Sequence, residues 1–474
     1  MSDSNDVSLA DQIDNALTPI SDFVSSVIFY SVDVFDVSLP LVVVWLIAAG
    51  VINTFMLRFI NISGFRHGFH LILNPRDHHG ADGEISHFQA LSAALSGTIG
   101  LGNVASVPVA IILGGPGAVF WMILAGFFGM ASKFAECALA VKYRKVLPDG
   151  RVIGGPMYYI EAVFARKGMK TVGKIAAVFF AIMAIGGSIS LFQVNQSHAQ
   201  FANVTGINAP ITFGVIMASL VAVVIFGGIK RIGYVAGKLV PFMAVIYVGA
   251  GLIIIGLNIT ALPDAIATIF RSAFGLEAAG GGLVGALING MRRATYSNEA
   301  GVGSAAIAHA SVKTNEPMTE GYVALIEPFL DTIVVCTLTA LVVIVTGVYE
   351  PFMLSADVQG IQITSAAFGE TFSWFPVILF VSSTLFAFTS LVAWAHYGAQ
   401  ALGYMTGGSK QTDIVFKAAL CIVLSTGAAV SVSSIIDFID SMLFAMAIPN
   451  IIALYLLLPE LKRDLRAYDE KYRR

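Results

Sequence analysis

Two stretches of this sequence set polar side chains among helix-breaking glycines in apolar surroundings. The first is Ser96-Gly97-Thr98-Ile99-Gly100-Leu101-Gly102-Asn103, with Pro108 five residues on. Glycine costs about 1 kcal/mol against alanine inside a helix, so Gly97, Gly100 and Gly102 together let a helix unwind and free carbonyls and amides. Free carbonyls can coordinate a cation, and a half-helix N-terminus can hold a carboxylate. The alternative is close helix packing through small residues. A dinucleotide-binding loop does not fit, because no strand precedes the glycines. The second stretch is Tyr296-Ser297-Asn298-Glu299-Ala300-Gly301-Val302-Gly303-Ser304. Its Glu299 is a carboxylate within an apolar run, which marks function by default; hydrogen bonds to amides freed at the break would instead make it a structural anchor. A third feature is Thr389-Ser390 within residues 385–392, followed by Trp394 and His396. Adjacent hydroxyls can complete a sodium site, since hard cations take oxygen ligands. Serine and threonine also hydrogen-bond routinely inside membrane helices.

Other ionisable residues have plainer expectations. Lys133 and Glu136, three apart, share a helix face and are expected to form a buried ion pair rather than a proton relay. Arg292 and Arg293 are expected to pair inside the bundle with carboxylates such as Glu327 or Asp331. His67, His70, His78, His79 and His87 show no regular metal-ligand spacing. Cys137, Cys336 and Cys421 are not clustered, so no disulfide framework or zinc site follows.

The elements that hold these residues must be membrane helices. Of the 474 residues, 57% are hydrophobic and 12% charged, with a mean hydropathy of +0.81. Ordinary soluble chains carry about 25% charged residues. A soluble enzyme, a nucleic-acid binder and a secreted disulfide protein are therefore excluded, and the net charge of −3 gives no basic surface. Eleven helical spans are expected, at 39–58, 86–112, 117–141, 174–197, 209–229, 239–260, 281–309, 321–347, 374–403, 412–430 and 434–458. Helices rather than a barrel follow from continuous apolar runs, since lipid cannot satisfy free backbone groups. No signal peptide is expected, because residues 1–38 have no Lys or Arg but seven aspartates: Asp3, Asp6, Asp11, Asp14, Asp22, Asp33 and Asp36.

With eleven spans, the groups Arg58 to Arg76, Lys142 to Lys174, Lys230 to Lys238, Lys313, Lys410 with Lys417, and Lys462 to Arg474 all fall on one side, and Arg271 alone falls opposite. Positive residues mark the cytoplasmic side, so the N-terminus is expected outside and the C-terminus in the cytoplasm of an inner-membrane protein. The expected organisation is an acidic extracytoplasmic segment 1–38, an extra helix 39–60, five-helix repeats at 86–260 and 281–458, and a basic tail 459–474. Five is odd, so the second repeat is inverted. Broken helices at matching positions of inverted halves point to a secondary transporter with a midplane site.

The run 97–105 (GTIGLGNVA), the segment 114–122 (GGPGAVFWM), and Ser297-Asn298-Glu299-Ala300-Gly301 with Gly303-Ser304-Ala305 resemble the alanine or glycine:cation symporter family over about residues 80–460. Ile123 departs from the family, which more often has a second tryptophan there. The resemblance implies an all-α polytopic protein with a five-plus-five inverted-repeat core. It implies symport of Na⁺ with a small neutral amino acid, alanine or glycine and, as a third candidate, serine, with no enzymatic cofactor. Gly100-Leu101-Gly102-Asn103 with Pro108 also resembles the first core helix of the neurotransmitter:sodium symporters. That likeness implies carbonyls of Ser96, Ile99 and Phe386 and hydroxyls of Thr389 and Ser390 as sodium ligands. It sets Gly97, Thr98, Gly100 and Asn103 near the substrate, opposite Tyr296, Ser297, Asn298 and Gly301. A small pocket is expected, with Thr98 and the glycines on one side and Phe386 and Trp394 available to cap the other. The alternatives are H⁺ coupling, supported by Glu299, or another small zwitterion. A channel fits less well, because filters use rings of one segment. A membrane enzyme would need a converged nucleophile and base or a metal cluster, and none stands out. Oligomeric state is not legible.

Overall fold

The computed structural model describes residues 18–19, 22–34, 37–74, 81–275, 282–353, 360–430 and 432–473. Asp3, Asp6, Asp11, Asp14, Asp36, Arg76, His78, His79 and Arg474 lie outside them. Among the described residues the regular structure is helical apart from two short antiparallel hairpins, Ser31–Val34 with Val37–Pro40 and Lys145–Val146 with Val152–Ile153, and an isolated bridge. Local chemistry sets many boundaries. Ser86 opens the helix His87–Thr98 with a capping box, exchanging bonds with Gln89 at 3.2 and 3.0 Å, which satisfies two orphan donors at once. Proline stands in the first turn of Pro156–Arg166, Pro210–Ile225 and Pro317–Ala324, where its missing N–H costs nothing.

Seven helices are long and apolar enough to cross a membrane, and two bent pairs raise the number to nine among the described residues. Pro210–Ile225 and the interrupted pair Gly282–Asn298 and Ala305–His309 take the places of the other two expected spans. Outward side chains such as Val245 and Ile422 are 72% and 70% exposed, as a lipid-facing surface requires.

The packing repeats across the two halves. Ala118–Tyr143 packs on Pro317–Ala324, Lys170–Gly187 on Phe375–Thr406, and Pro210–Ile225 on Lys410–Thr426. Lys170–Gly187 also packs on Val432–Tyr472, and the counterpart contact joins Phe375–Thr406 to Gly228–Leu257. A core of two inverted five-helix repeats gives this pattern, and it brings both broken helices to the centre.

Several details depart from expectation. The span expected at 174–197 is two pieces, Lys170–Gly187 and Leu191–Thr205, parted at residues 188–190. The extra helix Leu41–Met56 turns by 66° into Ile60–Leu73. Short helices at Phe65–Leu73, Pro156–Arg166 and Leu262–Phe274 lie in segments between the expected spans. Lys133 pairs with Glu327 at 3.0 Å rather than with Glu136, which accepts from Asn450 at 2.8 Å. Arg292 and Arg293 pair with Asp440 at 2.8 and 3.5 Å, not with Glu327 or Asp331. Sequence spacing shows which residues share a face, but the neighbouring helix decides the partner.

Candidate functional site

Both glycine-rich stretches are breaks. The first helix runs His87–Thr98, leaves helical geometry at Ile99 (φ −74°, ψ 89°), and resumes through a wide turn at Gly102–Ser106 into Val107–Gly114. Side chains hold the opened backbone: the Gly100 amide donates to Asn103 Oδ1 at 2.9 Å and the Leu101 amide to Gln193 Oε1 at 3.1 Å. The second helix, Gly282–Asn298, ends at Glu299, a non-glycine residue at φ +54°. Gly301 follows at φ +88°, a region that favours glycine; its carbonyl accepts from Asn450 Nδ2 at 2.9 Å.

A cavity of about 20 Å³ lies where the breaks meet, lined by Gly97, Thr98 and Gly102 on one side and Tyr296, Glu299 and Trp394 on the other. Ser190, Gln193, Ile439 and Leu443 complete it. Glu299 is buried, accepting from Trp394 Nε1 at 3.1 Å and from the Ser304 hydroxyl. Its partners are thus side chains rather than the break's own amides.

The other expected substrate residues lie elsewhere. Gly100 packs so closely on Ser390 that a Cβ there would stand 2.5 Å from Ser390 Oγ. Asn103 and Ser297 join a separate buried network, in which Asn103 Nδ2 donates to Ser297 Oγ at 2.9 Å and to Asp331 Oδ1 at 2.6 Å. Asn298 closes the second break, accepting from the Ala300 amide at 2.9 Å and donating to Thr332 Oγ1 at 3.0 Å. A Cβ on Gly301 would meet Leu46 of the extra helix at 2.7 Å, away from the cavity. Phe386 packs edge-on against Tyr247 at 5.5 Å and is not in the cavity lining, so Trp394 is the one expected cap that reaches it.

The expected sodium ligands come from two elements that touch at Gly100 and Ser390. Ser390 Oγ is buried with no hydrogen-bond partner among the described residues. Thr389 Oγ1 donates within its helix to Leu385 O at 3.0 Å and Phe386 O at 3.2 Å. The Ile99 carbonyl is turned from the helical direction, and the Ser96 hydroxyl donates to Ala93 O at 2.7 Å. An all-oxygen donor set with one orphaned hydroxyl suits a hard cation.

The family model described as the sodium:alanine symporter family matches residues 22–474. The chain belongs to the sodium:alanine symporter family. It is 39% identical over 432 residues to the sodium/alanine symporter AgcS of Methanococcus maripaludis, covering 91% of this chain and 94% of that one. It is 34% identical over 419 residues to a Bacillus subtilis protein named "Probable sodium/glutamine symporter GlnT", covering 88% and 85%. Among solved structures, MhsT in complex with L-phenylalanine aligns with a TM-score of 0.54 and 14% identity, covering 80% of this chain and 90% of that one. That likeness concerns fold alone. The protein is a multi-pass membrane transporter, not an enzyme.

The symporter carries two further constructions that join its broken helices. One is a strap beside the half-helices His87–Thr98 and Ala305–His309, which pack on each other. Residues 82–85 and 311–314 meet in a parallel bridge at Ile85 and Val312. The Arg144 guanidinium donates to four carbonyls across it, Asp82, Ala310, Val312 and Thr314, at 2.5 to 2.9 Å. The other is a buried charge chain. Lys133 meets Glu327 at 3.0 Å, Glu327 faces His309 Nε2 at 3.6 Å, His309 Nδ1 meets Glu320 at 2.5 Å, and Glu320 also binds His87.

Sequence reasoning missed Gln193, Ser190 and the strap. A usable signal existed for the first: Gln193, Asn195, Gln196, His198 and Gln200 crowd one apolar span, and intramembrane polar residues are functional by default.

Proposed function

We propose that this symporter moves alanine or glycine, with serine as an upper size limit, together with Na⁺ by alternating access around the paired breaks. The observation that carries this is the cavity at the breaks: it is small, closed by Trp394, and has one carboxylate, Glu299, suited to an α-ammonium group. The substrate carboxylate is assigned to the first-break side of the cavity, where Thr98 and the Gln193 carboxamide that holds the Leu101 amide line it. The lining is tight, with the Tyr296 ring and Trp394 facing the glycines, so rejection is expected to rise with side-chain size. Sodium is assigned to the oxygens of Ser96, Ile99, Phe386, Thr389 and Ser390, supported by the orphaned Ser390 hydroxyl against Gly100.

The repeats are placed at 86–260 and 281–458, after the extra helix 39–60, with the N-terminus outside and the basic tail 459–474 in the cytoplasm. The distribution of Lys and Arg supports this orientation. Proton coupling is a second reading, favoured by the buried Glu299 beside the cavity. Uptake of labelled alanine into proteoliposomes, with an inward gradient of sodium or of protons, decides between them. Accumulation is expected with sodium alone. Uptake that ignores replacement of sodium by choline and collapses with a protonophore would establish the proton reading.

A further inference from the structure

A cavity lined by charged side chains lies apart from the breaks, sharing no lining residue with the cavity there. It holds about 480 Å³ between the turn that ends the extra helix and the last turns of the C-terminal helix. Four cationic side chains line it, Arg58, Lys462, Arg466 and Arg473, against two carboxylates, Asp469 and Glu470. Arg473 pairs with Asp469 at 3.2 Å and also donates to Tyr322 Oη at 2.6 Å. Among the described residues, Arg58, Lys462 and Arg466 have no carboxylate within ion-pair distance; the contact recorded for the Lys462 ammonium is with the Met56 sulfur at 3.5 Å. Four cations against two carboxylates leave the cavity net positive, and such an excess of like charge is relieved when an anion joins it.

The backbone is bent to make this place. Arg58 and Phe59 both hold left-handed conformations, at φ 56° and 54°, which non-glycine residues seldom adopt and which mark sites held by surrounding structure. The floor is apolar, with Leu57, Ile60 and Leu465 buried. Beside it, Phe55 and Ile62 turn 59% and 64% of their surface outward, where acyl chains can lie along them. A basic pocket next to lipid-facing apolar side chains matches a molecule with an anionic head and hydrocarbon tails.

We infer that this cavity binds the phosphate headgroup of an anionic phospholipid, held by Arg58, Lys462 and Arg466, and so ties the extra helix to the C-terminal helix. The guanidinium forks of Arg58 and Arg466 suit phosphate oxygens, and the lipid's tails pass along Phe55 and Ile62. Nothing in this depends on which amino acid is carried.

The test uses the full-length symporter in detergent. Each basic side chain near an anionic surface is worth about fivefold in affinity, or about 1 kcal/mol. Replacing three, in Arg58→Gln/Lys462→Gln/Arg466→Gln, is expected to weaken phosphatidylglycerol binding on the order of a hundredfold. Two readouts serve: lipid retained per protein by native mass spectrometry, and the rise in Tm on adding phosphatidylglycerol. Phosphatidylcholine and inorganic phosphate are the comparison arms, and Arg463→Gln, on a side chain that is not in the cavity lining, controls for net charge. The expected result is strong retention and a Tm rise with phosphatidylglycerol alone, lost in the triple variant and kept in Arg463→Gln. Equal effects of phosphatidylglycerol and phosphatidylcholine would overturn the site. An equal Tm rise with inorganic phosphate would reassign it to a free anion and overturn the lipid. Loss in Arg463→Gln as large as in the triple variant would reduce it to general charge. If the triple variant fails to fold, Lys462→Gln alone is expected to weaken binding about fivefold, and unchanged retention there would refute the inference.

Discussion

Ser390→Ala offers the sharpest test of the sodium assignment, because the structure separates its effect on fold from its effect on the ion. Ser390 Oγ is buried and unpartnered among the described residues, so removing it breaks no internal hydrogen bond. The smaller alanine also leaves Gly100 unhindered, since the close approach there is to the hydroxyl itself. Deleting an unsatisfied buried polar atom is neutral or mildly stabilising. Its contact to a cation is a different matter. Contacts between neutral polar groups and a charge are worth about 1.5–3 kcal/mol, and 1.4 kcal/mol is tenfold, so the half-saturating sodium concentration should rise about 10- to 150-fold. Alanine affinity should recover at saturating sodium, because linked ligands share one coupling energy. The assay is initial alanine uptake in proteoliposomes as a function of sodium, normalised to protein, with Tm measured alongside. A fall in Tm with an unchanged sodium midpoint would refute the reasoning and leave the hydroxyl a packing role.

Three further outcomes follow from other parts of the molecule. Glu327→Gln leaves Lys133 buried without its counter-charge and should cost about 3–5 kcal/mol; thermal unfolding in detergent checks this, and a Tm unchanged within a degree would contradict it. Gly102→Ala places a Cβ 3.2 Å from the Tyr296 ring at the cavity wall, so alanine uptake should fall severalfold more than glycine uptake; equal losses would show that the wall does not sense substrate size. Ile85→Cys/Val312→Cys pairs two bridged positions of the strap; once oxidised, the protein should stop transporting yet still bind alanine, with recovery on reduction, and undiminished transport of the crosslinked form would show that the strap need not part.

The broad architecture was readable because lipid imposes a one-sided demand on composition. Apolar runs give spans, an odd count with an aligned charge pattern gives inverted halves, and glycine clusters give breaks. What sequence could not supply were relations between helices. Arg292 finds Asp440 rather than Asp331 because Val432–Tyr472 packs near it, a distance of 148 residues. Asn103 and Ser297 carry the residue types of a binding site, yet Asp331 draws them into a private network. Trp394 and Phe386 are eight apart on one helix, more than two turns but not a whole number of them, so only Trp394 faces the cavity. The strap was invisible because Arg144 uses main-chain carbonyls, which any sequence offers.

The helix Phe375–Thr406 explains how an ion and an amino acid can act on each other without touching. Ser390, Ala393, Trp394 and Tyr397 are spaced as one face of an α-helix, since residues three and four apart are neighbours. A Cβ on Gly100 would meet Ser390 at 2.5 Å, and one on Gly97 would meet Tyr397 and Ala393 at 3.0 and 3.4 Å. The opened segment of the first broken helix thus lies along this single stripe. Trp394, on the same stripe, holds Glu299 of the second broken helix at 3.1 Å. A cation between Ser390 and the Ile99 carbonyl would draw the first break onto the stripe, and an amino acid between Thr98, Glu299 and Trp394 would draw the second. Each therefore lowers the conformational cost of placing the other, which is coupling in the thermodynamic sense, typically about 1–3 kcal/mol and reciprocal. Glycine at 100 is what permits that contact, since a Cβ there would stand 2.5 Å from Ser390 Oγ and hold the break off the stripe.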